Sequence, residues 1–114
     1  MSKIFISQPM QDKSKVEILE ERDKCVAYVQ NLVTKLNSIF GSSDKVEVIN
    51  SYFEDEPTSD VTNSGLWYLG KSLQLMATAD IVVFAKGWRK ARGCKIERKC
   101  AQDYNMIIID YPGD

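Results

Sequence analysis

Apolar residues fall along this chain in two alternating patterns. Four short runs are apolar at nearly every central position: Lys3–Ser7, Val46–Asn50, Asp80–Phe84 and Met106–Asp110. Such runs predict strands buried on both faces of a sheet. Between them lie longer stretches in which apolar residues recur with a period near 3.6. The first places Ile18, Leu19, Cys25, Val26, Val29, Leu32, Val33, Leu36, Ile39 and Phe40 on one face, with Arg22 among them. The second, Leu66 to Thr78, aligns Leu66, Leu69, Leu73 and Met76 as a core stripe. The third runs from about Arg92 to Tyr104, with Ile96 and Cys100 inward.

Local punctuation supports these bounds. Pro9 lacks an N–H and restricts Gln8, so the chain turns after the first strand. Ser14 with Glu17 three positions on is a capping box for the first helix, and Gly41 ends it. Ser51 to Gly65 is a polar loop of about fifteen residues carrying Glu54, Asp55, Glu56 and Asp60. That length points either to function or to a solvated acidic loop. Asp80 reads as a turn residue at the start of the third strand.

The order β-α-β-α-β-α-β predicts one α/β domain over residues 1–114, doubly wound and flavodoxin- or Rossmann-like. Right-handed crossovers give a four-stranded parallel sheet in the order 2-1-3-4, with helices on both faces. The strand order reverses between the first and third strands. Their C-terminal ends, Ser7-Gln8-Pro9-Met10 and Lys86-Gly87-Trp88, therefore meet at the crevice where this architecture binds ligands.

Composition narrows the chemistry. The net charge is −1 and 27% of residues are charged, so no broad nucleic-acid or membrane surface is expected. The first ten residues carry no long apolar segment, and three cysteines without a CxxC pair read as reduced thiols. The expectation is a cytoplasmic protein without a metal or redox cofactor. There is no histidine, which removes Ser-His-Asp and Cys-His nucleophile systems. Neither GxGxxG nor GxxxxGK[ST] occurs, so the dinucleotide and P-loop fingerprints are both missing.

What remains is Glu97, in the first turns of the third helix and at the switch point. A helix N-terminus favours an ionised carboxylate. A carboxylate held beside a sugar can attack the anomeric carbon and stabilise an oxocarbenium-like transition state. Cys94, near the same helix start, is either a reactive thiolate or a small packing element. Of Trp67 and Tyr68, one is placed to face a ligand, and Arg22 either pairs inside the fold or reaches a ligand.

Three segments in order carry a resemblance: Ile4-Phe5-Ile6-Ser7-Gln8-Pro9-Met10, Ala79-Asp80-Ile81-Val82-Val83, and Gly93-Cys94-Lys95-Ile96-Glu97-Arg98-Lys99-Cys100-Ala101. Together they resemble the nucleoside 2-deoxyribosyltransferase superfamily, more closely its small branch found in phages and prophages. The resemblance implies that Glu97 is the nucleophile that takes a 2-deoxyribosyl group from a nucleoside and passes it to another base or to water. It implies a pocket walled by Ser7, Gln8, Pro9 and Met10 on one side and by Gly87, Trp88, Arg92 and Gly93 on the other. Gly93 would let backbone approach the sugar. Two aspartates of the transferases are replaced here by Ser72, taken as a helper residue, and Ala91. The loop is instead aromatic and cationic, with Trp88, Arg89, Lys90 and Arg92. An aromatic face suits base stacking and Arg suits phosphate, as in the related deoxynucleoside-monophosphate N-glycosidases. The resemblance further implies a homo-oligomer in which a neighbour completes the pocket. Two other readings stand beside the enzyme: a catalytically silent protein that binds or sequesters a nucleotide signal, and an interaction domain that keeps only the fold.

Overall fold

The first apolar run forms an inner strand of the sheet. In the computed structural model, which describes residues 1–112, β1 (Ser2–Ser7) lies between β2 (Val46–Val48) and β3 (Ile81–Phe84), and β4 (Ile107–Asp110) pairs with β3. Every pairing is parallel, in the predicted order 2-1-3-4. The register sets Ile4 beside Val48 and Ser7 beside Phe84. At the opposite end of the sheet, Asp80 Oδ2 accepts from the Lys3 backbone N–H at 2.8 Å, tying the start of β3 to β1.

Three helices cover the two faces: α1 (Lys15–Phe40), α2 (Ser64–Met76) and α3 (Arg92–Asp103). Successive side chains of β1 alternate between them. Ile4 and Ile6 pack with Cys25 and Val29 of α1, Val83 and Ala85. Phe5 faces the other way, with Met76 of α2, Ala101 of α3, Val82 and Phe84. Side chains of this size, fully removed from water, contribute about 2–3 kcal/mol each, so these two clusters hold the sheet and helices together.

The helix ends are locally encoded. Ser14 caps α1 with the reciprocal Glu17 contact in place, and Gly41 closes it in the left-handed conformation (φ 67°). Asn63 Oδ1 accepts from the Leu66 N–H at 2.9 Å, so α2 starts two residues earlier than its apolar pattern indicates. The second strand stops at Val48, two residues short of the predicted Asn50.

Three apolar stripes are only partly covered. Leu66 is 64% exposed, while Met76 at the other end of its stripe is buried. Ile96, expected inward, is exposed beside the cleft described below. Leu36, Ile39 and Phe40 are exposed on α1. At 26 residues α1 is about 39 Å long, whereas strands of 3–6 residues cover only its first half.

Candidate functional site

The C-terminal ends of β1 and β3 open into a cleft of about 1320 Å³. Two loops shape its floor. Gly87 turns the chain after β3 with φ 85°, a conformation that favours glycine. A Cβ there would lie 3.6 Å from Pro9 Cγ, so the turns after β1 and β3 are in contact. A single 3-10 turn, Trp88–Lys90, then leads into α3.

Glu97 stands at the centre of this arrangement. It shares the buried face of α3 with Cys94 and Ala101, at i, i+3 and i+7. The residue is 5% exposed and lines the cleft. The Ser7 hydroxyl, on the last residue of β1, donates to Glu97 Oε1 at 2.6 Å. Burial pushes the carboxyl pKa up from 4.5 to about 7, and the Ser7 hydrogen bond partly opposes this. No charged neighbour is among the causes of that shift. The buried carboxylate is thus poised to gain or lose a proton near neutrality. Burial also raises the Cys94 thiol to about 11, so this cysteine is a protonated packing element and not a thiolate.

Nine of the ten residues expected at the site line the cleft: Ser7, Gln8, Pro9 and Met10 from the first turn; Gly87, Arg92 and Gly93 around the second; Ser72 from α2; and Glu97 itself. The Gln8 amide is anchored, its Nε2 donating to the Ile18 carbonyl of α1 at 2.9 Å. Arg92 is exposed at the first position of α3, whose first turn carries no acidic residue and whose N-cap Ala91 supplies no side-chain bond.

Trp88 is the exception. It turns away from the cleft and packs on Phe84, with ring centroids 5.5 Å apart. The guanidinium carbons of Arg98 and Arg89 lie 4.3 and 4.8 Å from its ring centre, and Arg98 is held by Asp110, Nη2 to Oδ2 at 3.2 Å. The second core cluster claims the indole because that face of the sheet offers Phe84 to bury it against. Trp88 is therefore a packing residue here and not a stacking wall.

The other wall is the long loop that the sequence left between two readings. It is pinned from both sides: Lys15 Nζ of α1 meets Glu54 Oε1 at 2.6 Å, and Lys71 of α2 pairs with Asp55. Phe53 stacks on Tyr68 at 6.0 Å, and Lys71 Nζ lies 5.5 Å from the Phe53 ring centre. Ser51, Tyr52 and Phe53 thereby line the cleft, and of the Trp67–Tyr68 pair it is Tyr68 that does so. Sequence reasoning did not single out Ser51 or Tyr52; the loop's unusual length was the signal. Arg22 pairs inside the fold, donating to Asn50 Oδ1 and the Ile49 carbonyl at 3.0 Å each.

Compared with known proteins, the chain matches no family model, no curated protein and no solved structure. Among the described residues, no helix is long and apolar enough to cross a membrane. The chemistry of the site therefore rests on its own geometry: a desolvated carboxylate, oriented by a hydroxyl, facing a cleft whose lining carries both cations (Lys15, Lys90, Arg92) and carboxylates (Asp12, Glu54, Asp55, Glu56).

Proposed function

We propose that this protein binds a nucleoside or deoxynucleotide in the cleft and breaks its N-glycosidic bond, with Glu97 as nucleophile. The observation that carries this reading is the buried Glu97 carboxylate, held by Ser7 and facing an open cleft at the switch point of the sheet. In its ionised form a Glu97 oxygen attacks the anomeric carbon of the 2-deoxyribosyl group. The carbon–nitrogen bond breaks, and its electron pair leaves with the base, which takes a proton from water. Water or a second base then attacks the same carbon and releases the carboxylate. Ser7 orients the carboxylate and favours its charged form. Ser72 lines the cleft from α2 and in this reading bonds a sugar hydroxyl. Lys90 and Arg92 are exposed at the cleft without an ion pair among the described residues. They favour a monophosphate over an uncharged nucleoside.

A second reading, tight binding without turnover, is favoured by one observation. The two aspartates of the transferases that the chain resembles are replaced by Ser72 and Ala91, neither of which can protonate a departing base, and burial rather than a partner carboxyl is the main cause of the raised Glu97 pKa. One assay separates the two. Wild type and Glu97→Ala are incubated with deoxynucleosides and their monophosphates, with and without an acceptor base, and products are resolved by chromatography. Base release or exchange by wild type alone supports the enzyme. Saturable binding in both proteins, with no product from either, establishes the binder.

A further inference from the structure

One face of the sheet is short of a helix. Ile4, Ile6 and Val83 pack against α1, whereas α2 and α3 both lie on the opposite face with Phe5, Val82 and Phe84. A helix is about 10 Å wide and neighbouring strands lie about 4.8 Å apart, so α1 covers roughly two of the four strands. The register sets Ile4 beside Ile81 and Ile81 beside Ile107. That puts Ile107 on the α1 face, at the start of the edge strand β4, where it is 60% exposed.

The helix α1 has the complementary shortage. It starts at the cleft, which Lys15 lines, and runs back to the N-terminal ends of the strands, where Asp44 accepts from the Ser2 hydroxyl of β1. Val33 still packs on the sheet, but beyond it Leu36, Ile39 and Phe40 are 50, 72 and 75% exposed. Leu36 and Phe40 continue the stripe of Val29 and Val33. Ile39 lies on the flank of Tyr28, whose ring meets Tyr111 just past β4 at 5.6 Å. The bare helix end and the bare start of β4 therefore share one face and one end of the molecule.

Charge sets this half of α1 apart. Seven of the ten residues Lys15–Lys24 are charged, whereas Lys35 is the single charge from Cys25 to Phe40. A solvated helix end has no reason to lose its charges, and an interface core does. Size agrees. At roughly 150–200 Å² for a fully exposed side chain of this size, Leu36, Ile39, Phe40 and Ile107 leave on the order of 400 Å² of apolar surface in water. Interfaces are about 60% apolar, so covering this patch buries roughly 700 Å² per partner, close to the standard size.

We infer that this face joins two copies of the chain as a two-fold dimer. The C-terminal halves of the two α1 helices run antiparallel, and Ile39 and Phe40 of each copy pack on Ile107 of the other. The occupant is a second copy because the patch carries both halves of the contact, a helix end without a sheet and a sheet edge without a helix; a two-fold axis matches each to the other twice. The cleft opens at the opposite end of the sheet, so each copy keeps a whole cleft of its own, unlike the neighbour-completed pocket that the resemblance implies.

The test is sedimentation velocity from about 1 μM to about 1 mM, on wild type, Phe40→Glu, Ile107→Lys and Val16→Glu. Wild type is expected at twice the 13.0 kDa chain mass. Phe40→Glu and Ile107→Lys should each weaken the dimer at least about 100-fold, because each places a charge in both copies of the contact. Val16→Glu, on an equally exposed apolar residue at the other end of α1, should leave it intact. Mixing Phe40→Glu with Ile107→Lys should restore a dimer, since one contact becomes Glu against Lys and the other is wild type. A wild type that stays monomeric throughout overturns the inference, as does a dimer that survives both substitutions. Failure of the mixture to associate overturns the helix-on-strand pairing. Both positions are exposed in the single chain, so far-UV circular dichroism should be unchanged; its loss would show that the residues serve the fold and not an interface.

Discussion

Ser7 and Glu97 are 90 positions apart in the chain, yet the serine hydroxyl donates to the glutamate at 2.6 Å, and both side chains are almost wholly buried. The bond joins the end of β1 to α3 and spans the crevice between the central strands. A carboxylate so placed has lost water as a partner and retains one directed donor.

The pH dependence of turnover follows from that environment. With its pKa raised to about 7 by burial, Glu97 is protonated, and not a nucleophile, in mildly acidic solution. Base release is expected to rise about tenfold per pH unit on the acid side and to level off above about pH 7. Ser7→Ala removes the bond that favours the ionised form. Its profile should shift to higher pH and its rate at neutrality should fall at least about tenfold. A wild-type rate flat from about pH 5 to pH 9 would show that another group does the chemistry.

Stability is linked to the same proton with the opposite sense. The folded state holds the Glu97 proton more tightly than the unfolded chain, whose carboxyl titrates near 4.5. This stabilisation is fully present below that value and is lost as pH rises through about 7. Glu97→Gln keeps an acceptor for Ser7 and carries no charge. It should flatten the pH dependence over this window and be more stable than wild type at pH 8, by on the order of 3 kcal/mol. Urea denaturation at several pH values measures it; parallel curves for the two proteins would contradict the burial argument.

Gly93 separates room for a ligand from room for the fold. A Cβ at this position meets no protein atom within 4 Å, and the residue lies in the first turn of α3. Gly93→Ala is therefore expected to keep or slightly raise stability, by about half a kcal/mol, because alanine is the better helix former. Ligand affinity should fall, since the new methyl group projects where backbone borders the cleft. Loss of stability with unchanged binding would reverse the assignment.

Trp88 and Arg92 should behave as opposites. Trp88→Ala removes a half-buried indole from the Phe84 cluster and should cost about 2 kcal/mol of stability, with ligand affinity retained in the folded fraction. Arg92→Ala touches no core residue and should change stability by less than about 0.5 kcal/mol, while monophosphate affinity drops. Affinity lost on Trp88→Ala without destabilisation would return the indole to the ligand.

Local chemistry carried much of this protein. The Ser14–Glu17 capping box, the Gly41 stop and the Pro9 turn act within a few residues, so each is legible in the sequence and stands as expected in the fold. The alternation of apolar runs with helical periods was enough for the strand order, and thereby for bringing the Gln8 and Gly87 turns together. Tertiary structure decided what lies opposite each face. Periodicity aligns Leu66 with Met76 and Leu36 with Val29, but only the short strands leave the first member of each pair uncovered. The sequence of the loop after β3 does not say which way Trp88 turns; Phe84 and Arg98, brought in by β3 and α3, hold it against the edge of the core. Ser51 follows a segment that Arg22, nearly thirty positions earlier, and Ile4 of β1 hold at the cleft. Contacts between residues close in sequence are set by covalent geometry and spacing, whereas burial, and the proton affinity of Glu97 that follows from it, depends on elements that only folding brings together.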